Sequence, residues 1–146
     1  MFTVIQDNRR NLIFILLLLL VVGIFSFTQG GQQGASFELE GDLFVLHGPE
    51  EFTATVDLKQ LRSIETRDKF SPGTCLDGKE DYGYSYGTWE NEEFGQYQLC
   101  KLTKVSTCVV MTDEAGNVTV FNFESTQMTE EFGRSFEEFL RENGYL

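Results

Sequence analysis

One histidine, two prolines and three cysteines are all that the chain holds of the residues that most often carry chemistry or punctuate structure. With His47 alone, any Ser-His-Asp or Cys-His arrangement has to be built around that residue. It ends the run LFVLH before GPEE, where a turn histidine is the ordinary explanation. Cys75, Cys100 and Cys108 have no C-x-x-C spacing and, with one distant histidine, form no zinc site. A phosphate loop, a dinucleotide fingerprint and a nucleophile elbow are also missing. No cofactor is expected.

Positive charge is the second scarcity. Eleven Lys and Arg face 23 Asp and Glu, a formal net charge of −12. Residues 1–30 hold Arg9 and Arg10 against Asp7, so everything after them carries 9 basic and 22 acidic residues, or −13. Such a body is repelled by phosphate backbones and loses the counterion-release term that drives nucleic-acid binding. It also has no basic pocket for a phosphoinositide. At 41% hydrophobic and 14% aromatic, 146 residues suffice for one ordinary globular domain.

Charge is wholly absent from NLIFILLLLLVVGIFSF, Asn11 to Phe27. At about 1.5 Å per residue its most apolar part spans roughly 24 Å, slightly short of a ~30 Å hydrocarbon core that Thr28 and Gln29 can help complete. Arg9 and Arg10 precede this segment and the next basic residue is Lys59, so the positive-inside rule leaves the N-terminus in the cytoplasm. The expected order is a cytoplasmic tail over 1–10, a signal-anchor helix over 11–29, a Gly/Gln-rich tether over 30–36 and an extracytoplasmic domain over 37–146. A signal peptide cleaved near Gly30 is the competing reading, and it exports the domain equally.

From Ser36 the apolar period becomes two. SFELE and LFVLH flank Gly41-Asp42, a pair suited to a two-residue hairpin. TATVD, RSIETRD, GQYQLCKL, STCVVMT and GNVTVFNF follow as further strands, which makes about seven in an antiparallel sheet or barrel. The last segment changes period again: Met128, Phe132, Phe136, Phe139 and Leu140 form one helical stripe, with Ser125 or Thr126 to start it and Asn143-Gly144 to stop it. Having no second helix, that stripe must pack on the sheet.

The apolar N-terminal segment, VDLKQLRSIETRD, the segment GYSYGTWENEEFGQYQL, the pair STCVVMTDEAGNVTVFNF and the closing MTEEFGRSFEEFL together resemble the bacterial pleckstrin-homology-like domain of small single-pass membrane proteins, over about Phe52 to Leu140. The correspondence rests on Ile64, Gly87, Gly95, Val109, Val110, Gly116 and the helix phenylalanines. These are fold positions, so the resemblance implies a partly open seven-stranded barrel capped by a helix, and no reaction.

Tyr82, Tyr84 and Tyr86 alternate and would share one face of a strand. With Trp89 they are candidate binding residues, or else they cover the sheet as core. Glu90, Glu92 and Glu93 read as a solvated loop, or as the carboxylates of a glycoside-type hydrolase. Asp77, Glu80 and Asp81 lack calcium-loop spacing. Cys100 and Cys108 lie equally far from Lys104, so a hairpin turning there would allow a disulfide; three reduced thiols are the alternative. The expected function is that of a non-enzymatic binding or assembly module. It would contact a protein partner or itself through the tyrosine row or an exposed strand edge. The alternatives are a carboxylate-dependent hydrolase of envelope polymers and a cleaved, secreted domain.

Overall fold

A computed structural model describes residues 35–80 and 83–146, and they form a mainly β domain with one C-terminal helix. Among the described residues no helix is long and apolar enough to cross a membrane. The expected anchor over 11–29 and most of the tether lie outside them, while Ser36, the last tether residue, opens the first strand.

Strands β1 (Ser36–Glu40), β2 (Leu43–His47) and β3 (Thr53–Asp57) form a three-stranded antiparallel sheet in chain order. Glu40 pairs with Leu43 across Gly41-Asp42, which is the expected two-residue hairpin. Phe37, Phe44, Leu46, Ala54 and Val56 are buried at every second position, so one side of this sheet faces the core. A short 3₁₀ turn over Leu58–Gln60, capped by the Asp57 carboxylate accepting from the Lys59 amide at 3.0 Å, passes the chain to the second sheet.

The second sheet contains β4 (Leu61–Arg67), β5 (Thr74–Glu80), β6 (Tyr84–Asn91), β7 (Gly95–Leu102), β8 (Cys108–Asp113) and β9 (Val118–Phe121) in the spatial order β4-β8-β9-β7-β6-β5. The β8–β9 hairpin enters between β4 and β7, and β7 and β9 run parallel. CVVM and VTVF are buried at every position, a pattern suited to central strands covered on both sides. Asn122, fully buried after β9, accepts from the Leu102 amide at 2.8 Å and donates to the carbonyls of Leu102 and Val105, at 3.3 and 2.9 Å. One side chain thus satisfies the backbone where β7 leaves the sheet.

The mainly β domain with one C-terminal helix is as expected, and these two sheets correct the strand count and the all-antiparallel pairing of the expected partly open barrel of about seven strands. There are nine strands among the described residues, one pair is parallel, and no closed barrel forms. The strand over Thr74–Glu80 was not among those expected, because TCLDGKE has no apolar alternation. It lies at the sheet edge and buries no residue.

Helix α1 (Thr126–Glu142) starts at Ser125, whose hydroxyl accepts from the Met128 amide at 3.1 Å, and all five residues of the expected stripe are buried. Phe121 of β9 lies 5.5 Å from Phe44 of β2 and 5.6 Å from Phe132 of α1, ring centre to ring centre. Phe136 stacks between Phe132 and Phe139 at 5.1 and 5.6 Å. Both sheets and the helix therefore share one phenylalanine core. Gly133 brings the helix close to β4, since a Cβ there would collide with the Thr66 hydroxyl.

Candidate functional site

The aromatic strand is an internal element. Tyr84 and Tyr86 point to one side of β6 and Trp89 to the other, and all three are buried. Tyr82 lies outside the described residues. The Tyr86 hydroxyl donates to the Glu50 carboxylate at 2.6 Å, Lys79 pairs with the other oxygen of Glu50 at 3.1 Å, and the Trp89 indole N–H donates to the Tyr86 carbonyl. Burial pushes the Tyr84 phenol well above the ordinary tyrosine value, with help from Cys100 and Glu124 nearby. Of the expected tyrosine row, Tyr84 and Tyr86 share a face of β6. The described side chains are core rather than an exposed platform, because other elements cover both faces of β6.

The cluster around Trp89 contains Tyr97, Leu99, Cys108, Val110, Val118 and Val120, with Phe70 and Phe94 packed against it. Leu99, Val120 and Val110 lie in register across β7, β9 and β8, whereas Cys100, Phe121 and Val109 occupy the opposite face. Residues 68–73, which join edge strand β4 to edge strand β5, are fastened beside this cluster. The Tyr97 hydroxyl donates to the Pro72 carbonyl at 2.6 Å, Asn91 donates to the Ser71 carbonyl at 3.0 Å, and Phe70 meets the Tyr97 ring edge-on at 5.7 Å.

Between that loop and the β6–β7 turn lies an open cleft of about 1040 Å³, lined on its charged sides by Arg67, Lys69, Glu90, Glu92 and Glu93. The Arg67 guanidinium bonds to Glu65 and Glu93 and lies 5.2 Å from the centre of the Phe94 ring. Burial alone would lower its pKa, but the bonds to Glu93 and Glu65 outweigh that and hold it above the ordinary arginine value. Sequence reasoning found the three glutamates and missed Arg67, Phe70 and Asn91. The Pro72-Gly73 pair was the available signal for the loop, but only the fold shows which turn it faces. Glu90, Glu92 and Glu93 are all exposed.

The cysteines also lie apart. β9 separates β7 from β8, so the expected hairpin about Lys104 does not bring Cys100 and Cys108 together. They sit two strands apart, roughly 9 to 10 Å, on opposite faces. That is beyond disulfide reach, and all three thiols are free. Burial pushes Cys100 up to about 12 and Cys108 up to about 11, so both are protonated, inert thiols at neutral pH. Cys75 lies on β5, half-buried, where burial and then Glu80 and Asp77 raise its pKa. His47 bonds with Glu38 at 3.2 Å on the exposed side of the β1–β2 hairpin. No group of three or more potential metal ligands occurs among the described residues.

Comparison with protein-family models, with curated proteins and with solved structures finds no match to this chain.

Proposed function

We propose that the chain is a membrane-anchored, non-enzymatic binding or assembly module whose β domain acts outside the cytoplasm through protein–protein contact. The anchor and orientation rest on the uncharged Asn11–Phe27 run and on Arg9 and Arg10 before it. The observation that carries the binding role is a contrast in exposure. Tyr84, Tyr86, Trp89, Cys100 and Cys108 are buried in packing, whereas both outer strands of the six-stranded sheet, β4 and β5, are mostly exposed. An exposed strand edge is a template for another chain. The pleckstrin-homology-like reading belongs to this proposal: a mainly β domain closed by a C-terminal helix supports it, and the parallel β7–β9 pair is a departure from it. Phosphoinositide recognition is no part of it, given the −13 charge of the exported portion.

The test is native electrophoresis of gently solubilised membranes, with and without a short amine-reactive cross-linker. A module migrates in an assembly larger than the detergent-bound monomer, and a monomer under both conditions sinks the reading. A second reading, a carboxylate-dependent hydrolase of envelope polymers, is favoured by one observation, that Glu90, Glu92 and Glu93 line the 1040 Å³ cleft. Replacing all three by alanine distinguishes them: the module keeps its assembly, and the hydrolase loses all turnover of isolated envelope polymer. Recovery from the medium, at a mass lacking the first thirty or so residues, would instead identify a secreted domain.

A further inference from the structure

We infer that the edge of β4 is the docking site, and that its occupant is an extended, cationic segment of a partner protein added as a further strand of the six-stranded sheet. This rests on the binding-module reading above. Two strands end that sheet, and they differ as templates. β5 breaks register between Cys75 and Asp77, and its Gly78, at φ +151, is pressed against Gly87 of β6 so closely that neither position has room for a Cβ. Bulges, charges and twist of that kind blunt an edge. β4 has its single irregularity at its start. From Ser63 to Arg67 it pairs with Thr112 to Cys108 without a break, and its other side has no strand partner among the described residues.

Both ends of this edge open into clefts. The 1040 Å³ cleft begins at Arg67, and a second, of about 400 Å³, opens where β4 starts, with Leu61 and Ile64 beside Tyr145, and with Glu114 and Glu137 facing Arg62 and Arg141. Five regular residues cover roughly 16 Å, so one extended heptapeptide alongside β4 reaches from one cleft to the other. Backbone pairing would supply affinity, and the clefts would take the side chains at its ends.

Charge selects the occupant. In the larger cleft Arg67 and Glu93 hold one another, with Glu65 also on Arg67, which leaves Glu90 and Glu92 against Lys69. In the smaller cleft Arg141 already holds Glu137 at 2.9 Å and Arg62 is the other cation, so Glu114 is the carboxylate towards which an incoming lysine or arginine would turn its head, its apolar stem along Ile64 and Tyr145. A domain of −13 repels a second copy of itself and an anionic lipid surface alike, and draws a basic segment in.

The test uses the full chain in neutral detergent and three fluorescent heptapeptides: Lys-Val-Lys-Val-Lys-Val-Lys, its Glu-for-Lys counterpart, and Lys-Lys-Pro-Pro-Pro-Lys-Lys, which keeps the charge and whose consecutive prolines interrupt backbone pairing on either edge. The expected result is that the first binds at least tenfold more tightly than either other, more weakly as salt rises, and slows amide exchange within Leu61–Arg67. Ser63→Lys, at an exposed position on β4, should weaken it at least fivefold, whereas Leu76→Lys on β5 leaves it within twofold. Equal binding of the proline peptide, sensitivity at Leu76 instead of Ser63, protection outside 61–67, or no binding each overturns the inference. So does a dimer whose contact protects 61–67. If an assembly persists in native membranes while the peptide result fails, only the choice of edge is lost; if both fail, the module reading falls with it.

Discussion

The two faces of the six-stranded sheet are filled by the same kinds of residue and closed in different ways. On one face Phe121 meets Phe44 of the small sheet and Phe132 of the helix, so three elements distant in sequence share a core. On the other, Trp89, Tyr97 and the valines of β8 and β9 pack beside a short loop held by hydrogen bonds to Pro72 and Ser71. Rings locked between elements make the first face a determinant of the whole fold. The second face is closed by a loop held through two side-chain hydrogen bonds, so local opening there without global unfolding is the expected behaviour. The larger cleft lies at that loop.

The sharpest way to break this contrast is Phe136→Ala. Phe136 is fully buried and stacked on both sides, so its loss should cost about 3–5 kcal/mol and lower the global denaturant midpoint with the slope unchanged. Asn122→Ala comes next, at about 3 kcal/mol. It removes an acceptor for the Leu102 amide and a donor to two carbonyls at a fully buried position, and so tests the placing of β9 beside β7. Tyr97→Phe keeps the ring and loses only the bond to Pro72, at about 1 kcal/mol. Its effect should appear as faster amide exchange in residues 68–73, with the phenylalanine face unaffected.

The smallest effect concerns the end of the helix. The Tyr145 hydroxyl donates to the Asp42 carboxylate at 2.5 Å. Burial and then this bond push Tyr145 up to about 12, while the bonds from Tyr145 and Lys59 hold Asp42 below its ordinary value. A raised tyrosine contributes stability that is complete below its unfolded pKa, roughly 10, and is lost as pH climbs through its folded value. A lowered carboxylate contributes stability present above its unfolded value of about 4 and lost as pH falls through the folded one. The gap in melting temperature between wild type and Tyr145→Phe should therefore be widest between about pH 4 and 10, and should close on both sides. A gap independent of pH contradicts the pairing.

Local features of this fold could be read from the chain. Gly41-Asp42 marked the first hairpin, and Met128, Phe132, Phe136, Phe139 and Leu140 marked the buried side of the helix with its Ser125 start. Long-range features could not. Thr74–Glu80 is a strand because β6 offers it an edge, and a sequence exposed along its whole length has no period to betray that. Tyr84 and Tyr86 do share a face, but whether that face meets water depends on residues far away, such as Glu50 and Phe52. Cys100 and Cys108 show the same limit, since equal spacing about Lys104 implies a hairpin only if no other strand competes for the place, and β9 takes it. At the candidate site the acidic turn was visible, while the Arg67 and Phe70 side of the cleft depended on how the loop folds over.

The proposed module is an exported domain in which the chemistry-bearing side chains are packed away. The three thiols test both halves of it in one measurement: labelling of intact cells with a membrane-impermeant maleimide, followed by mass mapping against lysed and against denatured controls. The expected result is label on Cys75 in intact cells, without prior reduction, and on Cys100 and Cys108 only after denaturation. Label on Cys75 only after lysis would place the domain in the cytoplasm and contradict the orientation drawn from Arg9 and Arg10. Ready labelling of Cys100 or Cys108 in the native protein would contradict the packing of the sheet itself.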